Sequence, residues 1–225
     1  MPIVTPMEFI VDGVPGGYVK LVDALGDDKA ICDFARVTRQ SQGDSVSDAN
    51  LIRHMLASGH GTPFERGVLV YEVKAPIFVA RQWFRHRIGT YSELSARHVK
   101  LSEIYIPPAE RFHAPVSATP DSPQSADCRM VYAHAVQAAS TAYNELLSAR
   151  VPHEVARMCL PVGVFTVFQW VVNARSLMNF LRQRLDTHAQ AEIRAYAQRV
   201  AEGFQRVYPV TYSAFEASII KKEEN

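Results

Sequence analysis

Apolar positions along the chain follow two spacings, and the change between them marks the predicted elements. Apolar and polar residues alternate over 18–25, and 68–73 is rich in β-branched residues, so both stretches are predicted strands. From Ser45 or Ser47 to Gly59 the apolar residues recur at helical spacing, which predicts a helix with a serine cap. Further helices are predicted over 27–36, 76–85, 127–149, 153–158, 174–185 and 188–207.

The remaining segments have no helical or strand spacing, with one ambiguous exception. Residues 162–172 form an apolar run that is either a buried strand or an apolar helix, because a run buried on both sides has no period. The turn-rich stretch 1–17 is predicted to be an irregular lead-in, 112–126 a loop and 219–225 a solvated tail. Strands within a helical majority, without an internal repeat, predict one α+β domain over residues 1–225.

Composition and charge exclude several classes of function. The chain has 24 Lys and Arg against 23 Asp and Glu, and a protein without a basic surface is not expected to bind nucleic acid. No apolar run reaches the ~20 residues of a membrane span, and the N-terminus lacks the pattern of a secretory signal. Three widely spaced cysteines predict neither disulfides nor zinc ligation and are typical of a cytoplasmic protein. His54 and His60 lack further ligands at suitable spacing, so no metal is expected.

The segment 85–97 is the strongest candidate for chemistry. Arg85-His86-Arg87 places adjacent cationic side chains together, which is costly unless they bind an anion. The sequence has no glycine-rich nucleotide loop, so arginine forks are the expected phosphate ligands. The candidates are Arg85, Arg87, Arg97, Arg157, Arg175 and Arg184.

Simpler explanations remain open for each candidate. Arg85-His86-Arg87 is also compatible with an exposed basic helix end, and Arg175 and Asn179, which share a helix face, with a surface helix capped by Asn173. Cys159 near Arg157 has the spacing of an activated nucleophile, although an ordinary buried cysteine is the commoner case.

Together these residues resemble the flavin-dependent thymidylate synthases, whose signature is R-H-R, seven residues and a serine. Here the signature is Arg85-His86-Arg87 through Ser95. Similar blocks occur at residues 60–65, 74–84, 154–157, 173–181 and 186–190. Thr90, Ser92, His98 and Arg66 depart from the commoner family pattern, and Ser92 in particular lacks the two donors of the usual asparagine.

The resemblance implies a reaction and a fold. The family transfers a one-carbon unit from methylenetetrahydrofolate to C5 of dUMP, and NADPH-reduced FAD supplies the hydride that yields dTMP. It also implies a twisted, mostly antiparallel sheet surrounded by helices, and a homotetramer whose active sites combine residues of several subunits.

The resemblance further implies roles for individual residues. Arg184 would be the catalytic residue that activates uracil. The FAD contacts would be His60, Thr62, Arg85, His86, Arg87, Ile88, Glu93, Asn173, Arg175 and Asn179, with His60 also helping to place the folate. The dUMP contacts would be Gln82, Trp83, Phe84, Arg85, Glu93, Leu94, Ser95, Ala96, Arg97, Arg157 and Arg184.

Three other functions are compatible with parts of the pattern. One is flavin- and folate-dependent methyl transfer to uracil in RNA, which the balanced charge disfavours. Another is a regulatory nucleotide-binding protein without turnover, which would follow if the changes at Ser92 and His98 abolish catalysis. The third is an oligomeric helical protein with a surface arginine cluster.

Overall fold

The fold is organised around a five-stranded antiparallel sheet in the order β1-β2-β3-β5-β4. A computed structural model describes residues 4–41, 43–112 and 125–223. The strands are β1 (Met7–Ile10), β2 (Tyr18–Leu25), β3 (Val68–Pro76), β4 (Thr90–Glu93) and β5 (Phe165–Asn173). The structure confirms the predicted α+β class, the single domain and the antiparallel sheet.

The longest strand pair, β3 with β5, forms the centre of the sheet. Its register runs from Val68 opposite Asn173 to Pro76 opposite Phe165. Buried and less buried residues alternate along β3, which is the pattern of a strand with one fully covered face. The ambiguous run 162–172 is therefore mostly strand, because its backbone groups pair with strands on both sides.

Eight α-helices are found in the described part of the chain. They are α1 (Asp28–Arg36), α2 (Ser45–Ala57), α3 (Ile77–Trp83), α4 (Ser125–Ser148), α5 (His153–Ala156), α6 (Ala174–Arg184), α7 (Ala191–Val207) and α8 (Pro209–Glu223). Carboxylate or amide oxygens of Asp27, Asp44 and Asn173 accept a hydrogen bond from a backbone N–H in the first turn of α1, α2 and α6. None of these helices is both long enough and apolar enough to cross a membrane.

The core lies between the sheet and α7. The Tyr71 hydroxyl, on β3, donates to the Val200 carbonyl of α7 at 3.0 Å. Beside this contact, the glycine at position 203 lets the helix approach closely, since a Cβ there would lie 2.8 Å from the Tyr71 ring. A second group of large rings, contributed by Trp83, Phe168, Trp170 and Phe180, packs with centroid distances of 4.7–5.4 Å.

Two predictions about strands and helix ends were wrong. The lead-in is not irregular throughout, because β1 pairs with β2 from Met7 opposite Leu21 onward. The predicted helix 76–85 ends at Trp83, so Arg85 does not share a helix face with Arg81. After Trp83 the chain turns, with the His86 N–H donating to the Trp83 carbonyl, and returns to the sheet as β4.

The C-terminal prediction was also wrong. Helix α8 continues to Glu223 through most of the expected tail. Its first turn is held by Asp28 of α1, whose carboxylate accepts hydrogen bonds from Val210 N, Thr211 N and Thr211 Oγ1 at 2.6–2.9 Å. The expected loop 112–126 overlaps described structure at its ends, a 3₁₀ turn to Phe112 and the start of α4, and residues 113–124 lie outside the described residues.

The close approach at position 203 gives a stability prediction. Gly203→Ala should lower the free energy of unfolding by about 1–3 kcal/mol, because the added methyl overpacks against buried Tyr71. The helix propensity of alanine alone would act in the opposite direction, by about 1 kcal/mol. Chemical denaturation measures the change, and Gln205→Ala, at an exposed position of the same helix, is the control. A more stable Gly203→Ala variant would show that α7 does not lie this close to β3.

Candidate functional site

The signature segment is fixed from below by aromatic side chains. Tyr91 of β4 stacks on Trp170 with an interplanar angle of 8° and donates its hydroxyl proton to the His86 carbonyl at 2.7 Å. At Gly89 a Cβ would lie 2.7 Å from the Trp170 indole nitrogen, so the backbone passes directly over the buried ring. The loop between α3 and β4 is therefore held against the core.

Arg85 and Arg87 project from this loop as exposed side chains. Neither has an ion pair or hydrogen bond with any residue in the described ranges. Ile88 beside them has 72% of its surface exposed. Two unpaired guanidinium groups next to an uncovered apolar side chain suit an anionic ligand that also has an apolar part.

Arg184 lies beside the same loop and contacts both the loop and the end of α3. Its Nε donates to His86 Nε2 at 3.0 Å and its Nη2 donates to the Gln82 carbonyl at 2.9 Å. The side chain is partly buried, and no carboxylate in the described chain pairs with it. Of the five N–H groups of a guanidinium, two are used here, which leaves three without a partner in the described residues.

The charge state of His86 follows from this contact. Burial, and after it the charge of Arg184, lowers the pKa of His86 from 6.5 to about 4. Burial also lowers the pKa of Arg184, although guanidinium stays charged at neutral pH. Near neutral pH the pair is thus a neutral imidazole that accepts from a charged guanidinium.

The predicted site residues around this pair differ in burial and in hydrogen bonding. Gln82 donates its side-chain amide to the Gln190 side chain at 2.7 Å, next to the Arg184 contact. The Trp83 side chain is fully buried among aromatic rings, and the predicted contact of this residue with dUMP stays a prediction. Phe84 is partly buried against Tyr91 and Phe168, which makes it mainly a support for the loop.

A second group of predicted residues lies at the other end of β4. Glu93 accepts from the buried Thr166 hydroxyl at 2.7 Å, and Leu94 N donates to the Val167 carbonyl at 2.8 Å. The chain then turns through Ser95, Ala96 and Arg97, with the Ser95 carbonyl accepting from two backbone N–H groups. Strand β4 therefore separates Ser95–Arg97 from Arg85–Ile88.

Arg97 is paired with Glu154, and it would have to leave this partner in order to bind the phosphate of dUMP. Its Nε lies 3.1 Å from a carboxylate oxygen of Glu154, and both side chains are more than half exposed. Exposed pairs of this kind contribute about 0–1 kcal/mol and are readily replaced. Arg157, three residues after Glu154, has no ion pair in the described residues, so a phosphate here would find one free arginine and one weakly held arginine.

A third group surrounds the start of α6. Arg175 pairs with Glu65 at 2.6 Å, and a Cβ at position 61 would lie 2.6 Å from the Arg175 Nε, so the guanidinium crosses directly over that glycine. The Asn173 side-chain oxygen is used in capping, and that of Asn179 accepts from Gln183 at 3.3 Å, which leaves the amide nitrogens without partners in the described chain.

His60 and Thr62 line a cavity of ≈ 690 Å³ enclosed by α1, α2 and the turns that follow them. His54 also lines it, with its ring 6.1 Å from that of His60 in an edge-to-face arrangement. The cavity is large enough for a heterocyclic ligand, but none of the predicted dUMP contacts lines it. The predicted site residues are therefore distributed over three neighbouring surfaces of one chain.

Several contacts of the site were missed in the sequence. Thr166, Tyr91 and Phe180 hold Glu93 and His86 in place, and Glu154 holds Arg97. Thr166 and Phe180 gave no signal along the chain, because their partners are 73 and 94 residues away, and the short separation of Tyr91 from His86 does not by itself indicate a contact. Glu154 lies in the family-like block 154–157, three residues before Arg157, and only the fold reveals its pairing with Arg97.

The similarity to known proteins covers the part of the chain that carries these residues. A family model described as thymidylate synthase complementing protein matches residues 20–210. The chain is 47% identical over 201 residues to the flavin-dependent thymidylate synthase of Thermotoga neapolitana, with 88% of this chain and 90% of the relative covered. The chain belongs to the flavin-dependent thymidylate synthase family.

More distant members and solved structures agree with this family. The flavin-dependent thymidylate synthase of Thermus thermophilus is 39% identical, with 91% of this chain and 77% of the relative covered. A solved structure described as the UMP/dUMP methylase PolB from Streptomyces cacaoi bound with 5-Br dUMP superimposes with a TM-score of 0.80 at 31% identity. The match covers 89% of this chain and 95% of that chain, so the fold is shared over nearly its whole length. The resemblance is thereby confirmed, whereas the roles of individual site residues stay predictions.

The neutral His86 gives a pH prediction for this family member. The unfolded chain protonates His86 near pH 6.5 and the folded chain only near pH 4, so the unfolded state binds more protons between these values. The stability of the wild type should therefore fall as the pH is lowered through that window, and that of His86→Gln should fall less. Thermal midpoints at about pH 7 and about pH 5 measure the difference. Equal losses in both proteins would contradict a buried neutral histidine.

Proposed function

We propose that this protein is a flavin-dependent thymidylate synthase that converts dUMP to dTMP, with methylenetetrahydrofolate as carbon donor and NADPH as reductant of bound FAD. The observation that carries the proposal is Arg184. It is a partly buried arginine that no carboxylate in the described chain neutralises. The Gln82 carbonyl and the imidazole of His86 accept hydrogen bonds from it and hold it in one orientation. Such a fixed cation suits a ligand that develops negative charge, as uracil does when its C5 becomes nucleophilic.

The residues present fit FAD as cofactor. Its pyrophosphate requires cationic partners, for which the unpaired Arg85 and Arg87 are available, and its polar groups match the free amide nitrogens of Asn173 and Asn179. Ile88 offers apolar surface, and His60 and Thr62 line a cavity wide enough for a ring system. FAD, when bound and reduced, supplies the hydride that completes the methyl group.

Arg184 would act on the uracil ring of dUMP. Its free N–H groups can stabilise negative charge on N3 and the neighbouring carbonyl oxygens, which raises electron density at C5. Nucleotide phosphate and sugar would be held by Ser95, Arg97 and Arg157, with Glu154 released from Arg97. Glu93, oriented by Thr166, would accept a hydrogen bond from a ribose hydroxyl.

The state of the cysteines also supports the activation of uracil by Arg184 rather than by a cysteine nucleophile. Burial raises the pKa of the Cys32 thiol to about 11, so it carries almost no thiolate at neutral pH. The exposed Cys159 donates to the Ala156 carbonyl at 3.1 Å, and neither thiol has an imidazole partner among the described contacts. All three cysteines are free, which is typical of a reducing cytoplasm and supports our proposal that the enzyme acts there.

We also propose that the enzyme works as a homotetramer with shared active sites. The two sets of residues predicted to bind dUMP, one around Arg184 and the other at Ser95–Arg97, lie at opposite ends of β4. Neither set lines the ≈ 690 Å³ cavity. Exposed apolar side chains accompany them, with Ile88 72% and Val99 43% exposed. Residues from a second copy would complete pockets that one chain leaves open.

The proposed function is tested by anaerobic incubation with FAD, NADPH, methylenetetrahydrofolate and dUMP, followed by assay of dTMP. The expected result is dTMP that disappears when any one component is omitted. UMP is tested in parallel, because the structural neighbour is described as a UMP/dUMP methylase. Oxidation of NADPH without dTMP or methylated UMP would contradict the proposal and indicate a different acceptor.

Removal of Arg184 should abolish most turnover while FAD stays bound. We expect about a hundredfold lower rate for Arg184→Ala, since one preorganised group aimed at developing charge contributes on the order of 3 kcal/mol. Arg184→Lys should recover only part, because an ammonium lacks the planar fork. Arg182→Ala is the matched control, as this guanidinium lies 5.5 Å from the Phe215 ring centre. Full activity of Arg184→Ala would sink the assignment.

Arg97 should affect the requirement for dUMP more than the rate at saturation. Arg97→Ala removes a phosphate contact that forms equally in the ground and transition states, so KM should rise while kcat changes little. Steady-state kinetics at varied dUMP concentration separate the two, and Arg81→Ala, an exposed arginine of α3, is the control. A fall in kcat at unchanged KM would assign Arg97 to the chemical step instead.

A further inference from the structure

The orientation of Arg184 depends on one side chain in the described structure. Of its two acceptors, the Gln82 carbonyl belongs to the backbone and is retained in any variant at that position. The other acceptor, His86 Nε2, is the single side chain in the described ranges that forms a hydrogen bond with Arg184. His86 is therefore the residue through which the position of this guanidinium can be altered.

The proton positions of the pair follow from its chemistry. Arginine Nε always carries a hydrogen, so His86 Nε2 has to present a lone pair and the imidazole proton of the neutral ring lies on Nδ1. The lowered pKa of His86, about 4, keeps this neutral form through the physiological range. A protonated ring would set two N–H groups of like charge against each other.

His86 itself has little freedom to move. Its carbonyl accepts from the Tyr91 hydroxyl at 2.7 Å, and Tyr91 stacks on the buried Trp170. Its ring meets Phe180 edge to face, with centroids 4.9 Å apart and planes at 71°. The backbone of His86 is thus held by Tyr91 of the sheet and its imidazole packs on Phe180 of the aromatic core, which makes the ring a rigid support.

Two fixed hydrogen bonds determine the plane of a guanidinium. With Nε bound to His86 and one Nη2 hydrogen bound to the Gln82 carbonyl, the three remaining N–H groups of Arg184 have fixed directions within the guanidinium plane. We propose that His86 is a positioning residue that sets the direction in which Arg184 meets the uracil ring of dUMP. This inference rests on the proposed role of Arg184 and adds to it the residue that makes that role possible.

The proposal is tested by replacing His86 with two amides of different reach. The side-chain oxygen of Gln extends about as far as imidazole Nε2 and that of Asn about as far as Nδ1, so His86→Gln keeps the contact and His86→Asn loses it. We expect His86→Asn to lower saturated dTMP formation at least about tenfold, since an error of about 1 Å in a reacting group can cost a hundredfold. His86→Gln should lose at least about threefold less turnover than His86→Asn, and KM for dUMP should change little in either variant.

FAD affinity, measured by fluorescence titration, separates positioning from a direct cofactor contact. The expected result is equal FAD affinity for His86→Asn and His86→Gln, with turnover lost only in the Asn variant. Equal losses of turnover in both variants, or a loss of FAD binding that matches the loss of turnover, would overturn the positioning role.

A second readout does not depend on activity. Nitrogen-15 NMR of the imidazoles, with His86 assigned by its absence in His86→Gln, should show a proton on Nδ1 and none on Nε2 near neutral pH. Arg184→Ala should release this lock and shift the tautomer towards protonated Nε2, whereas Arg182→Ala should not. An unchanged tautomer in Arg184→Ala would overturn the pairing.

The two proposals fail in different ways. Inactive Arg184→Ala together with fully active His86→Asn would overturn the positioning role and leave Arg184 as the activating residue. Fully active Arg184→Ala would remove the function on which the inference rests. In the double variant, His86→Asn should add little to the loss of turnover already caused by Arg184→Ala. Fully additive losses would contradict the inference that His86 acts through Arg184.

Discussion

The pairing of β3 with β5 is the constraint on which the other features depend. Strand β5 lies between β3 and β4. At its C-terminal end Asn173 caps α6, and nearer its start the Val167 carbonyl accepts a hydrogen bond from Leu94, directly after β4. Arg184 reaches its position because α6 begins where β5 ends. The signature loop reaches its position because β4 pairs along the same strand. A shift in this register would separate Arg184 from His86.

The aromatic core provides the rigidity that the site requires. Trp83, Trp170 and Phe180 pack against one another beneath the loop, and Tyr91 and His86 rest on them. The arginines lie above this layer, where Arg85 and Arg87 are exposed and unpaired, Arg97 and Arg175 are exposed in ion pairs, and Arg184 is partly buried. Stability and function are thus divided between two layers, and Arg184 is the arginine for which a bound anionic ring would offset burial without a carboxylate partner.

The sequence predicted the α+β class, the strands β2 and β3 and the family of the signature, left β5 undecided between strand and helix, and did not predict the elements that tertiary pairing decides. β4 carries Thr90, Ser92 and Glu93 on an exposed edge, so it has no apolar period to detect. The helix end at Trp83 is set by the need to return to the sheet. Trp83 resembled a ligand contact because it lies in a family block, yet burial assigns it to the core.

The most direct test of the roles proposed for Arg184 and His86 is a crystal structure of the protein with FAD and dUMP. We expect uracil N3 and a neighbouring carbonyl oxygen within hydrogen-bond distance of Arg184, while Arg184 Nε remains bound to His86. We also expect the nucleotide phosphate at Ser95 and Arg97, with Glu154 displaced. A uracil ring placed away from Arg184, or an Arg184 that leaves His86 when dUMP binds, would contradict these roles.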